Sequence, residues 1–141
     1  MKCPCHSNKE FSDCCEPYLL GIQFASTPEI LMRSRYSAYA LDQADYIIRT
    51  TDRNNLMYNP DRLAWIASIH QFSQTTAFRG LTIISHENFG NEGFVTFHAI
   101  LKDLQGKDVS FREKSRFLKK NGQWLYESGI RNFLSDGEEL F

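Results

Sequence analysis

The sequence predicts an α+β protein in which helices come first along the chain and a curved antiparallel sheet follows. Between residues 28 and 74, apolar residues recur every three to four positions, as on one face of a helix. From Gly80 onward they alternate with polar residues, as in strands. The segments between these strands are too short for crossovers, so neighbouring strands must run antiparallel. A chain of 141 residues with 42% hydrophobic residues can form one domain with a core and a small appendage.

The first long helix is predicted from about Pro28 to Leu41. Ser26 and Glu29 have the spacing of a capping box, and proline suits the first turn of a helix. The next apolar segment, "DYIIRTTD", either extends this helix or forms a short second one. A further helix is predicted for 60–74 because its apolar residues recur at helical spacing after a proline. The face of the first helix that is expected in the core consists of Met32, Tyr36, Tyr39 and Ala40.

Four strands are predicted after Gly80, separated by turns that contain glycine. They correspond to "LTIISHEN", "GFVTFHAILKD", "DVSFREKSRFLKK" and "QWLYES". Side chains two positions apart share a face of a strand. The second strand therefore presents an apolar face, the third a face that mixes aromatic and polar residues, and the fourth a face with Trp124 and Tyr126.

Glu113 and Ser115 share the mixed face of the third strand with Phe111 and Phe117. If this face meets the helices, the carboxylate is costly unless it is paired or lies at the mouth of a cavity. One interpretation makes Glu113 an acid, a base or a ligand-orienting group, since a desolvated carboxyl suits such work. The other makes it a structural counter-ion for Arg33 or Arg35 on the first helix. The pocket of the first interpretation would be lined by Tyr36, Tyr39, Phe97, Ser115, Trp124 and Tyr126.

All four cysteines of the chain lie in one short stretch, "CPCHSNKEFSDCC", as Cys3, Cys5, Cys14 and Cys15. Disulfides between such close neighbours would be strained and easily reduced. Two pairs of sulfurs brought together by a loop instead suit a tetrahedral metal site, and zinc is the expected ion. A redox pair and four unligated thiols are the alternatives. His6 is expected to face solvent or to contact a ligand residue, because four sulfurs already complete the site.

The composition also limits the location and the partners. The formal net charge of −1 gives no overall electrostatic case for nucleic acid or an anionic membrane. The start of the chain has no apolar run typical of a signal peptide, and no stretch has the ~18 apolar residues of a spanning helix. We therefore expect a cytosolic protein without membrane association. A reducing compartment further disfavours disulfides.

The cysteine stretch resembles the SEC-C motif, the zinc-binding segment at the C-terminus of the SecA translocation ATPase. That pattern has C-x-C, a serine, an aromatic residue and a final pair C-C or C-H, and Ser7 and Phe11 stand at the intermediate positions here. His6 stands where the motif usually has glycine. The stretches "LMRSRYSAY" (31–39) and "EKSRFLKKNGQWLYESG" (113–129) resemble the bacterial YchJ-like, or UPF0225, proteins.

The resemblance implies a zinc-binding SEC-C module followed by a cone-shaped domain similar to nuclear transport factor two. We expect the module to span residues 1–22 and the α+β domain residues 23–141. Apolar residues between Tyr18 and Phe24 are expected to dock the module against the domain.

Two functions remain open from the sequence. A four-thiolate site is coordinatively closed, which favours a module that binds a protein partner over one that carries out chemistry. By analogy with the SecA tail, that partner would be a secretion chaperone or the ribosome. The alternative is a small-molecule binder or an enzyme that uses the pocket of the cone, with Glu113 as its acidic group.

Overall fold

The computed structural model describes residues 1–132, and its architecture is the α+β arrangement that the sequence predicts. A 3-10 turn lies between the two pairs of cysteines, a one-turn helix follows them, three further helices come next, and a sheet ends the described part of the chain. The elements are the 3-10 turn Phe11–Asp13, α1 (Glu16–Leu19), α2 (Pro28–Ala40), α3 (Ala44–Arg49), α4 (Arg62–Gln74), β1 (Thr76–Asn88), β2 (Glu92–Asp103), β3 (Phe111–Lys120) and β4 (Gln123–Asn132).

The strands form an antiparallel meander in the order β1-β2-β3-β4. The register between β1 and β2 shifts twice, between Phe78 and Gly80 and between Ile83 and Ser85. A third shift separates two pairs of β3 and β4, Phe117–Tyr126 and Arg116–Ser128. Because each bulge bends its strand and increases the local twist, these shifts curve the sheet around the helices.

The helix α2 begins close to its predicted start but with a different cap. The Thr27 hydroxyl accepts a hydrogen bond from the Ile30 N–H at 3.2 Å. The predicted capping box of Ser26 and Glu29 is not formed, because Thr27 has the extended backbone of a cap and Glu29 pairs with Arg33. A left-handed residue, Asp42 at φ 58°, follows the helix, so "DYIIRTTD" starts a separate short helix.

The core lies between the concave face of the sheet and the helices. The predicted apolar face of β2 is buried throughout, as are Met32 and Tyr36 on α2. The segment before α2 behaves differently from the prediction: Tyr18 and Leu19 pack against the core, but Leu20, Ile22 and Phe24 are 65%, 72% and 66% exposed. These three side chains do not reach the core because α1 ends at Leu19 and the chain turns at Gly21, which has φ +76°.

Within residues 1–132, no helix is both long and apolar enough to cross a membrane. The division of the chain at residue 22 stays a prediction, and the predicted second unit, 23–141, extends past the described residues.

Candidate metal centre and interior cavity

The four cysteines converge on one point at the N-terminus. Their Sγ atoms all lie within 4.8 Å of one another, and none forms a disulfide. The Cys5–Cys14 and Cys14–Cys15 sulfur separations are 3.6 and 4.0 Å. A tetrahedral ion with bonds of about 2.3 Å to sulfur requires separations of about 3.8 Å. The cluster therefore has the ligand type and the spacing to hold a metal ion.

Polar groups around the cluster are suited to thiolate ligands. The Ser7 hydroxyl lies 3.2 Å from the Cys14 sulfur, and the Ser37 hydroxyl lies 3.5 Å from the Cys3 sulfur. Arg33 on α2 donates to the Cys5 carbonyl at 3.4 Å and approaches the Cys5 sulfur at 4.0 Å. Such neighbours orient the ligands of a metal and reduce the repulsion among several thiolates.

Three of the thiols have shifted pKa values, and the shifts differ in direction. A hydrogen bond with Cys15, above all, lowers the pKa of Cys5 to about 4 although burial opposes its ionisation. The same bond and burial raise the pKa of Cys15, and burial raises the pKa of Cys14. A metal ion would therefore have to displace protons from Cys14 and Cys15 as it binds.

The cysteine segment is attached to α2 and to the sheet. Cys3, Cys5 and Cys15 are 0–4% exposed and belong to the same apolar cluster as Leu31 and Tyr36. The ring of His6 contacts Tyr36 edge-on and its Nε2 lies 3.3 Å from the Phe78 carbonyl oxygen. His6 has φ 63°, a left-handed angle that is easiest for glycine.

A cavity of about 420 Å³ opens between the helices and the concave face of the sheet. Most of its wall is aromatic or aliphatic, with a small polar group at one side. The residues of its wall are Met32, Arg35, Tyr36, Tyr39, Ile47, Thr51, Asn55, Met57, Trp65, Ser68, Ile69, Phe72, Phe78, Phe97, Ala99, Leu101, Phe111, Glu113, Ser115, Phe117, Tyr126 and Arg131. This volume and composition are typical of a small-molecule site.

Glu113 is the centre of the polar group, and its side chain is 5% exposed. Its Oε2 accepts hydrogen bonds from the Ser115 hydroxyl at 2.5 Å and the Tyr126 hydroxyl at 2.7 Å. Its Oε1 accepts from Nε of Arg131 at 2.8 Å. Burial and the charge of Glu113 raise the pKa of Tyr126, which keeps that phenol protonated as a donor.

The bulge in β4 explains how Arg131 reaches Glu113. Strict alternation from Trp124 and Tyr126 would turn Gly129 and Arg131 to the outer face. The extra residue, Glu127, reverses the alternation, so that Gly129 pairs with Ser115 and Arg131 with Glu113. The Arg131 guanidinium carbon also lies 3.8 Å from the Phe111 ring centroid.

Comparison with known proteins places these sites in a family. A family model described as "YchJ, middle NTF2-like domain" matches residues 27–129 of the chain. The chain belongs to the YchJ-like family. A UPF0225 protein of Photorhabdus laumondii is 41% identical over 134 residues, which are 92% of this chain and 80% of that protein.

Solved structures of similar proteins agree with the YchJ-like assignment. A SEC-C motif containing protein from Rhodopseudomonas palustris is 36% identical, with a TM-score of 0.77 over 92% of this chain and 97% of that one. A sec-c motif containing protein from Psychrobacter arcticus is 27% identical, with a TM-score of 0.73 over 89% and 80% of the two chains. The predicted NTF2-like fold with an N-terminal cysteine module is confirmed.

Six of the seven predicted pocket residues line the cavity of this YchJ-like domain, and Trp124 does not. The Trp124 side chain lies beyond Tyr126 and lines a separate cleft of about 80 Å³ next to α1 and α3. Its Nε1 donates to the Ser26 carbonyl at 3.3 Å. The alternation of β4 put Trp124 on the correct face but could not show that the cavity ends before it.

The predicted ion pair of Glu113 with Arg33 or Arg35 is wrong, since Arg131 is the partner. Arg33 lies on the side of α2 that faces the cysteines and pairs with Glu29 at 3.3 Å. Arg35 faces the cavity but donates to uncharged oxygens of Ile47, Thr50 and Thr51. The sequence signal for Arg131 was Gly129, because glycine inside a strand often marks a bulge.

Proposed function

We propose that this YchJ-like chain is a binding protein whose NTF2-like domain takes a small, largely apolar molecule. The observation that carries the proposal is the 420 Å³ cavity with an aromatic wall and one polar group. A side-chain-filled interior would have excluded such a ligand, and the volume lies within the range of ligand pockets, roughly 300–1,000 Å³.

Binding is favoured over acid–base catalysis by the state of Glu113. A general base needs an oxygen that can reach the substrate proton. Both oxygens of Glu113 are already engaged, by Ser115 and Tyr126 on one side and by Arg131 on the other. The carboxylate therefore suits the role of a fixed polar anchor in the wall of the site.

Zinc is the ion that we propose for the cysteine cluster. Four thiolates at tetrahedral spacing, with Cys3, Cys5 and Cys15 buried, match a structural zinc site in which every coordination position is filled by protein. In a reducing cytosol the thiols would stay available for the ion. Native mass spectrometry of freshly purified protein tests this: one zinc per chain is expected, and a metal-free chain with intact thiols would contradict it.

Methionine methyl groups provide a direct test of the cavity. The chain has three methionines, of which Met32 and Met57 line the cavity and Met1 does not. Titration with 1-octanol should shift the ¹³C-methyl NMR signals of Met32 and Met57 and leave that of Met1 unchanged. Absence of a shift at the two cavity methyls would contradict the proposal.

A cavity-filling variant provides the matched control. Ala99 is 2% exposed and lines the cavity, so Ala99→Phe should fill part of the space and abolish the octanol shifts. Thr96→Phe adds similar bulk to the opposite face of the same strand and should bind as the wild type does. Equal binding by both variants would locate the ligand elsewhere.

A protein partner for the cysteine module is the second candidate function. Leu20 and Ile22 at the end of the module and Phe24 just after it are 65–72% exposed, which is unusual for three large apolar side chains so close together. A secretion chaperone or the ribosome is the partner class that the SEC-C resemblance suggests. A pull-down with the wild type, a Cys14→Ser/Cys15→Ser variant and an Ile22→Ser/Phe24→Ser variant tests this. Identical partners for all three would exclude the module and the adjoining residues from recognition.

A further inference from the structure

Arg35 is a buried charge in the wall of the cavity. The residue is 8% exposed. Its Nη1 donates to the Ile47 carbonyl at 3.1 Å and to the hydroxyls of Thr50 and Thr51 at 2.8 and 3.0 Å. The guanidinium carbon lies 4.7 Å from the Tyr126 ring centroid, which fixes the plane of the group. Among residues 1–132, no acceptor is bonded to Nε or Nη2, so one edge of the guanidinium is free.

The charges that line the cavity do not cancel. They are Arg35, Arg131 and Glu113, and the last two form an ion pair at 2.8 Å. Within residues 1–132, Arg35 forms no ion pair. An arginine keeps its positive charge at any physiological pH, and a buried charge without a counter-ion is costly. The cavity wall thus carries one excess positive charge.

We propose that the ligand of the cavity is an apolar monocarboxylate whose carboxylate pairs with Arg35. This inference rests on the proposed function and specifies its ligand class. The free edge of Arg35 presents two coplanar N–H groups, and the two oxygens of a carboxylate can accept one hydrogen bond from each. The aromatic and aliphatic wall then covers the apolar body of the molecule.

The charge balance of the cavity favours a ligand with one negative charge over a ligand with two. One carboxylate neutralises Arg35 and leaves the site neutral. A dianionic phosphate would leave one net negative charge in an apolar cavity that already contains Glu113. Glu113 itself is held by three donors, so it repels a second carboxylate less than a free one would.

The first experiment varies the charge of the ligand on the unchanged protein. Octanoate, 1-octanol and octylammonium have the same chain and differ at the polar end. We expect octanoate to bind at least about tenfold more tightly than 1-octanol, since hydrogen bonds between two charged groups are stronger than those to a neutral hydroxyl. Octylammonium should bind the weakest. Affinities come from the methyl shift of Met32, which is 6% exposed and therefore also shows that the ligand is in the cavity. The shift of Met57, which is 77% exposed, supports the assignment.

The second experiment varies the arginine. Arg35→Gln should bind 1-octanol as the wild type does and lose the preference for octanoate. Arg35→Lys keeps the charge without the planar fork and should retain part of the preference. Arg53→Gln removes the same charge from an exposed position two residues after Thr51 and should leave the preference unchanged. If Arg35→Gln does not fold, Arg35→Lys and the charge series decide.

The outcomes separate this inference from the proposed function. Equal affinity for octanol and octanoate would retain the cavity as a binding site and overturn the carboxylate. Loss of the preference in Arg131→Gln but not in Arg35→Gln would also overturn it. Absence of cavity shifts with every ligand would contradict both. Tenfold selectivity that depends on Arg35 supports both.

Discussion

Gly129 allows the Glu113 carboxylate to lie against β4. A Cβ atom at this position would be 2.2 Å from Oε2 of Glu113 and 2.6 Å from the Tyr126 hydroxyl oxygen. Both distances are far below van der Waals contact. A glycine here weakens the strand, since it has no side chain to pack, but the polar cluster of the cavity needs that space.

Gly129→Ala should therefore destabilise the protein by roughly 1–3 kcal/mol, because the added methyl displaces the carboxylate from its donors. Chemical denaturation measures the change. A double-mutant cycle with Glu113→Ala isolates the clash. In the Glu113→Ala background, Gly129→Ala should lower the free energy of unfolding much less than it does in the wild type. An equal cost in both backgrounds would mean that Tyr126 or the backbone, and not Glu113, resists the substitution.

Asp52 is the second buried carboxylate that forms an ion pair. It follows Thr51, which pairs with Tyr126 at the edge of β4. Its side chain is 1% exposed, and Nζ of Lys120 lies 2.7 Å from its Oδ2. Burial opposes ionisation, but Lys120 and the Asn54 N–H outweigh it and lower the pKa of Asp52 below the ordinary 3.8. A lowered pKa stabilises the folded state above the ordinary pKa, and this stabilisation is lost as the pH falls through the folded-state pKa.

Lys120→Met should cost about 1–3 kcal/mol at pH 7 because it leaves the buried carboxylate without its cation. As the pH falls below 3.8, Asp52 becomes protonated in the wild type too, so the stability difference between the two proteins should narrow. Urea denaturation at several pH values tests this. Lys119→Met, which removes a neighbouring lysine that lies 5.9 Å from the Trp124 ring, is the control. A difference that is constant with pH would contradict the assignment to Asp52.

The strands show how far local sequence patterns reach. Alternation on β2 identified a buried face, and alternation on β3 brought Glu113 and Ser115 to the cavity. These predictions succeeded because a regular strand has a period of two. Arg131 could not be assigned in this way, since its side depends on an extra residue in β4 that is defined only by pairing with β3. The cysteine cluster was predictable because all four cysteines lie within thirteen residues.

The helix α2 connects the two sites through opposite faces. Arg33 and Ser37 contact the cysteine segment, whereas Met32, Arg35 and Tyr39 line the cavity. The sequence showed an apolar stripe on this helix but not which of its polar residues would contact the module. A small buried residue, Ser37, fits the side that faces the cysteines because a larger side chain would separate the two surfaces.

Ser37→Ala should reduce zinc affinity by about tenfold, a typical effect of removing a hydrogen-bonding neighbour of a metal ligand. Ser37 is 0% exposed, and its hydroxyl is 3.5 Å from the Cys3 sulfur. Ser34→Ala is the matched control, since Ser34 is also 0% exposed on α2 but bonds to Tyr46 and Leu31. Competition with a chromogenic zinc chelator measures both. A similar loss in the two variants would indicate a general effect on the helix.

The α+β domain has an apolar core between its sheet and its helices, whereas the N-terminal segment is held in place by a smaller set of contacts. The sheet and α2 to α4 bury Ile47, Ile69, Val95 and Phe117, and the cysteines add to this apolar cluster from the N-terminus. Besides its buried cysteines, the segment is held by the Ser37–Cys3 and Arg33–Cys5 contacts and by His6, which contacts Tyr36 and the Phe78 carbonyl oxygen. Arg49 also donates to the carbonyls of Tyr18 and Leu19. We therefore expect a metal ion to stabilise the N-terminal segment more than the α+β domain.

Removal of the proposed zinc ion should release the N-terminal segment and leave the α+β domain folded. The three buried thiols and the half-buried thiol of Cys14 cannot replace the ion, because metal–ligand bonds supply most of the folding free energy of so small a segment. Hydrogen exchange should therefore accelerate over residues 1 to about 20 in the chelated protein and stay unchanged over β2, β3 and β4. The fluorescence of Trp65, in the cavity wall, should be unaffected. Faster exchange in β2 and β3 would mean that the cysteine segment is part of the cooperative core, and the division at residue 22 would then be wrong.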